Sequence, residues 1–110
     1  MTKFTDITLP EPIQRAAADL GYETPTLIQK QTIPWLLEND RDLIALAQTG
    51  TGKTAAFGFP ALSCTDIERL VVQTLILCPT RELCIQISKD LQDYAKYMPR
   101  IKITDRKSVV

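Results

Sequence analysis

The stretch Leu43-Ile44-Ala45-Leu46-Ala47-Gln48-Thr49-Gly50-Thr51-Gly52-Lys53-Thr54 joins a short apolar run to a loop with two glycines that ends in lysine and threonine. The run 43–47 has no polar alternation, as expected of a strand buried on both faces. In the loop Ala47–Thr54, Gly50 and Gly52 let the backbone turn until successive N–H groups converge on phosphate oxygens. A helix opening at Lys53 adds the partial positive charge of its N-terminus. Lys53 is placed to reach the β- and γ-phosphates, and the Thr54 hydroxyl to help hold magnesium. Ala47 stands where the strictest form of the pattern has glycine. The bland alternative is a glycine turn with a solvated lysine. Placement between an apolar strand and a helix argues against it.

Working outward, Pro10-Glu11-Pro12 precedes Ile13, Ala16, Ala17 and Leu20, whose spacing marks one face of a short helix. Gly21 is positioned to stop it. Thr26 with Gln29 three residues later fits a capping box that opens a second helix, with Ile28, Ile33, Leu36 and Leu37 on its apolar side. Pro34 is expected to kink or divide that helix, and Asn39-Asp40 to turn the chain. Downstream, Lys53–Phe59 begins a helix, and Val71–Cys78 is a second apolar run that ends at Pro79. Leu83, Ile87, Leu91, Tyr94 and Met98 then recur at helical spacing over about four turns, and Ile101 with Ile103 suits a third strand. Trp35 reads as a packing residue.

Strands alternating with helices predict an α/β fold with a short parallel sheet flanked by helices. Ligands in such sheets bind outside the carboxyl ends of the strands. Both the glycine loop and the Pro79-Thr80-Arg81 turn fall there.

Composition sets bounds. The chain has 110 residues, enough for one small domain, and its 45% apolar and 24% charged content is that of an ordinary globular chain. Formal net charge is zero, so a general basic footprint for nucleic acid is lacking and any such contact must be local. Cys64, Cys78 and Cys84 have no C-x-x-C spacing and no histidine to complete a zinc site, which reads as buried free thiols. No apolar run reaches membrane-spanning or leader length, so no membrane partner and a cytoplasmic setting are expected.

The flanks of the loop decide among phosphate-binding families. Gly21-Tyr22-Glu23-Thr24-Pro25-Thr26-Leu27-Ile28-Gln29 resembles the Q motif of DEAD-box RNA helicases, and Phe4 stands seventeen residues before Gly21, where that family places an isolated aromatic. Ala47–Thr54 resembles the family's motif I, and Pro79-Thr80-Arg81-Glu82-Leu83 its motif Ia. The resemblance spans roughly residues 4–98. It implies a partial, phosphate-loop NTPase (RecA-like) three-layer domain over 1–110. The Q-motif region falls at 2–30, motif I at 47–54 and motif Ia at 79–83, without the second helicase domain. ATP and Mg2+ are the implied cofactors. Their site comprises Phe4, Tyr22, Gln29, Ala47, Gln48, Thr49, Gly50, Thr51, Gly52, Lys53 and Thr54, with Lys53 and Thr54 in the catalytic roles and Thr54 on the metal. Gln29 is implied to bond the adenine edge, for which an amide suits because it offers donor and acceptor together; its alternative is simply to close the helix cap. Phe4 packs on the base or anchors the N-terminal arm in the core. Pro79, Thr80 and Arg81 are the implied contacts to RNA, at its backbone and without reading sequence; otherwise Thr80 is an N-cap and Glu82 faces the helix dipole.

The sequence also departs from the family. Hydrolysis needs an acidic pair at the end of a later strand, and no Asp-Glu pair occurs in the chain. Asp105 is a lone acid in the wrong place. Residues 104–110 run polar where a relative continues to a Gly-Gly turn. The expectation is a truncated chain with a tail read partly in the wrong frame, one that binds nucleotide and RNA without hydrolysing ATP alone. The alternatives are an inactive nucleotide-binding fragment and another phosphate-loop enzyme such as a small-molecule kinase.

Overall fold

The computed structural model describes residues 3–47 and 52–105. Four α-helices dominate it, preceded by a single 3-10 turn at Phe4–Asp6: α1 Glu11–Asp19, α2 Leu27–Glu38, α3 Lys53–Ser63 and α4 Arg81–Tyr94. The local reasons are those that the residue pattern carries. Pro12 lies in the first turn of α1, where its missing N–H is no loss. Gly21 adopts φ of 80° just past its end, a conformation that costs a side-chain-bearing residue about 1–2 kcal/mol. At α2, Thr26 N donates to Gln29 Oε1 at 2.9 Å and Gln29 N donates back to Thr26 Oγ1 at 3.4 Å, so both arms of the capping box form. Asn39 closes the other end by donating its side-chain amide to the Trp35 carbonyl.

Two helices contain an interior proline and continue through it. Pro34 does not divide α2; the carbonyl that it cannot serve belongs to Lys30, an exposed residue open to water. Pro60 lies within α3, and the carbonyl four residues before it is that of Ala56. The buried Thr32 hydroxyl, bonded to the Ile28 carbonyl at 2.7 Å, lies 3.4 Å from this Ala56 oxygen. A polar group on α2 thus faces the carbonyl that α3 leaves open, as burial requires.

The core gathers Phe4, Ile7, Leu9, Ile13, Ala17, Ile33, Phe59, Leu62, Leu91 and Tyr94. Phe59, Ile13 and Ile33 are fully buried. Phe59 is the hub, with its ring centroid 4.8 Å from Tyr94 and 5.9 Å from Phe4, separations at which aromatic pairs attract. The α3–α4 contact depends on Gly58, where an added Cβ would lie 2.9 Å from Leu91 Cδ2 and 3.4 Å from the Tyr94 ring. Burial, followed by its hydrogen bond with Tyr22, holds the Tyr94 phenol above its usual pKa. On the surface, Asp19 of α1 accepts from Tyr97 and from Lys96, the latter at 3.1 Å, and Arg15 stacks 4.3 Å over the Tyr97 ring.

Several expectations are corrected. Among the described residues no strand forms: 43–47, 71–78 and the Ile101–Ile103 segment carry no regular structure. A strand exists only as a member of a ladder, and no described backbone hydrogen bond joins 43–47 to 71–78. Within 43–47 and 71–78 most apolar side chains lie open, with Ile44 and Leu46 each at least 90% exposed, while Ile76, Ile101 and Ile103 are half-buried against the core. α4 ends at Tyr94 rather than Met98, and Leu20 and Leu83, at the ends of their apolar stripes, are exposed. The cysteines are free but not buried: Cys64 is exposed, and Cys78 and Cys84 are half-exposed.

Replacing Gly58 by valine should therefore lower stability by about 1–3 kcal/mol through overpacking against Leu91 and Tyr94, read as a shift in the urea midpoint at unchanged slope. Amides of 43–47 and 71–78 should exchange with deuterium well ahead of those in α2 and α3.

Candidate nucleotide site

Four of the loop positions singled out in the sequence, Gln48, Thr49, Gly50 and Thr51, lie outside the described residues. Their two flanks are defined. Ala47 is half-buried at the end of the apolar run, and Gly52 is the N-cap of α3 with φ of 81° and ψ of 31°. Gly52 has no side chain with which to cap the helix, and the first turn of α3 holds no acidic residue. The partial positive charge of the helix start therefore meets no carboxylate from its own first turn, and the exposed Lys53 adds a full charge beside it. Thr54, half-buried, follows one position further on. The combination suits an anion with several oxygens.

Gln29 comes to this point from α2. It is 4% exposed; its Oε1 accepts from Thr26 N, and its Nε2 donates to the Gly52 carbonyl at 3.1 Å. The same carbonyl accepts from Ala56 N at 3.2 Å, so both its lone pairs are engaged. Cap closure and service to the loop are thus simultaneous roles of one amide. The arrangement also fixes which way the amide faces, oxygen toward Thr26 and nitrogen toward Gly52. Of its four hydrogen-bonding positions, one lone pair and one N–H remain after these two bonds. Gly52 has to be glycine twice over. Its φ is left-handed, and a Cβ there would lie 2.2 Å from Gln29 Nε2 and 3.3 Å from Thr26 Oγ1.

The two predicted aromatic residues are placed one beneath the other. Phe4 is 3% exposed and belongs to the core. Tyr22, half-buried, lies over it with ring centroids 5.7 Å apart at 28°, and its hydroxyl lies 3.3 Å from that of Tyr94. Tyr22 thus stands between Phe4 and solvent. What residue spacing could not disclose is Gln14, whose amide nitrogen donates to the carbonyls of Phe4 and Ile7. A glutamine one step off an apolar stripe carries no mark of partners seven and ten residues upstream.

Pro79, Thr80 and Arg81 are exposed. Thr80 Oγ1 accepts from Leu83 N at 3.2 Å, and Glu82 lies in the first turn of α4, so the capping role is realised. Arg81 projects from the same helix start, with an exposed guanidinium free to meet an anion. Asp105 is exposed, and no group of three or more acidic, cysteine or histidine side chains fit to hold a metal occurs among the described residues. No helix of the described residues is long and apolar enough to cross a membrane.

Comparison with known proteins bears on the family. A family model described as DEAD/DEAH box helicase matches residues 26–109. The ATP-dependent RNA helicase DeaD of Escherichia coli K12 is 47% identical over 102 residues, covering 93% of this chain and 16% of that protein. The DEAD-box ATP-dependent RNA helicase CshA of Geobacillus kaustophilus is 46% identical over 91 residues, covering 83% of this chain and 19% of its own length. The chain therefore spans less than a fifth of these relatives. Among solved structures, Saccharomyces cerevisiae Dbp5 bound to RNA and ADP BeF3 matches with a TM-score of 0.85 at 33% identity, over 88% of this chain and 25% of that one. A DEAD box protein from Methanococcus jannaschii matches with a TM-score of 0.81 at 34% identity, over 86% of this chain and 26% of that one.

Gly52→Ala tests the geometry of the cradle directly. A forced left-handed alanine costs about 1–2 kcal/mol, and its methyl group must displace the Gln29 amide. The expected result is a lower melting temperature, together with a shifted Gln29 side-chain NH2 signal in a 15N correlation spectrum.

Proposed function

The chain belongs to the DEAD/DEAH box helicase family, and from that membership we propose that residues 4–54 form an adenine-nucleotide site and that the start of α4 forms an RNA-facing edge. The single observation that carries the nucleotide half is the Gln29 amide, locked between Thr26 N and the Gly52 carbonyl. Its remaining lone pair and N–H match the N6 donor and N7 acceptor that adenine presents side by side. Guanine presents two acceptors there, and one would face the Gln29 oxygen. Base selection and phosphate binding are thereby joined through one carbonyl.

The phosphates fall to the N–H groups at the start of α3, to Lys53 and to the loop residues Gln48, Thr49, Gly50 and Thr51, with Ala47 at its entry. Magnesium suits the Thr54 hydroxyl as a single protein ligand; the remaining oxygens come from the nucleotide and water, the usual arrangement for this ion. When bound, the ion neutralises phosphate charge. Tyr22 supplies the half-exposed aromatic surface for the base, supported from below by Phe4. In the longer relatives this segment belongs to proteins named ATP-dependent RNA helicases. For this chain the proposal is nucleotide and RNA binding as the opening part of such an activity, which couples ATP hydrolysis to RNA unpairing. Its own residues contain no Asp-Glu pair to orient an attacking water, so hydrolysis by these 110 residues alone is not part of the proposal. A cytoplasmic setting is, while the parallel sheet of a RecA-like domain is proposed only for the setting of the longer relatives, since no strand forms among the described residues.

Thr80 and Arg81 bind RNA through its phosphates, independent of sequence. Thr80 Oγ1 accepts from Leu83 N in its cap, which leaves its O–H to donate to a phosphate oxygen beside the Arg81 cation.

Fluorescent ATP and GTP analogues titrated against the chain check the first half. Wild type should prefer ATP, Gln29→Ala should lose about tenfold for ATP and lose the preference, and Lys53→Ala should weaken both nucleotides alike. Equal binding of ATP and GTP by the wild type would sink the role of Gln29. For the second half, Arg81→Ala should weaken single-stranded RNA uniformly across sequences and lower the logarithmic salt slope by about 0.7.

A further inference from the structure

The N-terminal arm, residues 3–9, reaches the rest of the fold through few polar contacts. Its one described backbone bond beyond its neighbours runs from Phe4 N to the Glu23 carbonyl at 3.0 Å. The other polar tie is Gln14 on α1, whose Nε2 donates to the Phe4 carbonyl at 3.0 Å and to the Ile7 carbonyl at 2.7 Å. Those carbonyls also accept from Ile7 N and Leu9 N within the arm, so Gln14 spends both amide hydrogens on completing their coordination. Apolar contacts by Phe4, Ile7 and Leu9 press the arm onto the core, but such contacts are non-directional and do not set how far along α1 it rides. Two hydrogen bonds to carbonyls three residues apart do. The consequence falls on Tyr22. Its ring lies on Phe4, and Glu23, the next residue, receives the arm's backbone bond.

We propose that Gln14 is a positioning residue of the adenine site, holding Phe4 at the depth that supports the Tyr22 ring. This rests on the adenine-site assignment of Tyr22 and Gln29 made above, and adds a residue that contacts neither base nor phosphate. Gln14 sets the aromatic surface, while the phosphate cradle at 52–54 is built by α2 and α3 without it. The two parts of one nucleotide are therefore separable by substitution.

Gln14→Met keeps the length of the side chain and removes both donors. Dissociation constants for ATP and for inorganic tripolyphosphate, measured on the 110-residue chain, are the readout, beside hydrogen exchange at the Phe4 amide and at amides of α2. The expected result is a five- to twentyfold loss for ATP, unchanged tripolyphosphate binding, and faster exchange at Phe4 with α2 unaffected. Equal loss for both ligands with faster exchange throughout would make Gln14 a stabilising residue only and overturn the proposal. Unchanged ATP binding would overturn it as well. Gln29→Ala in the same series separates the two layers. A wild type without preference for ATP over tripolyphosphate removes the adenine site itself. A preference lost in Gln29→Ala but retained in Gln14→Met leaves the site standing and removes Gln14 from it.

Discussion

The described fold depends on one side-chain amide. Gln29 closes the start of α2 with its oxygen and takes the last carbonyl before α3 with its nitrogen. Either bond alone would be worth about 1 kcal/mol net. Their joint value lies in geometry, because a 4% exposed amide with both ends engaged has only one orientation that satisfies its partners. That orientation requires a glycine at 52, since any Cβ would occupy the space of the amide nitrogen. A left-handed glycine at the helix start in turn leaves the first turn of α3 without a side-chain cap and open to an anion. The orientation of the amide, the glycine at 52 and the uncapped start of α3 thus follow from a single constraint.

Much of this was legible in the residues because it is local. The Thr26–Gln29 box, the Gly21 stop, the start of α3 at Lys53 and the Thr80 cap depend on neighbours within four positions, and each forms as the pattern indicates. What was illegible is non-local. The Gln29–Gly52 bond spans 23 positions and the Tyr22–Tyr94 hydroxyl pair 72, and no periodicity marks such partners. Phe4 was open to two roles by spacing alone, and only the fold puts it under Tyr22. The cysteines were expected to be buried, and a thiol's burial depends on what packs over it, which residue type and spacing do not reveal.

The apolar runs are the instructive failure. Val71, Val72, Leu75 and Leu77 have the composition of a buried strand, yet each is more than half exposed, as are Ile44 and Leu46. Strand propensity describes fitness for a pleated, covered surface rather than a backbone preference in isolation. Helices satisfy most of their hydrogen bonds internally, so α1–α4 need their neighbours for packing and not for a ladder; a strand must borrow its bonds from a neighbour. Only Ile76 and Cys78 of the second run touch the core, enough to place the segment but not to make it a ladder.

The proline within α3 has a consequence for motion. Gln29 and Thr32 stand three residues apart on α2, and the carbonyls that they face, Gly52 and Ala56, stand four apart on α3. Each pair is about one turn along its own helix, so the contacts form two teeth of a rack meshed at matching pitch. Sliding α2 along α3 by any amount short of a full turn, about 5.4 Å, unseats both teeth together. Rotation of either helix about its axis does the same. A relative motion of these two helices must therefore break both contacts at once, so within the described residues α2 and the start of α3 are coupled more tightly than their apolar packing alone would make them.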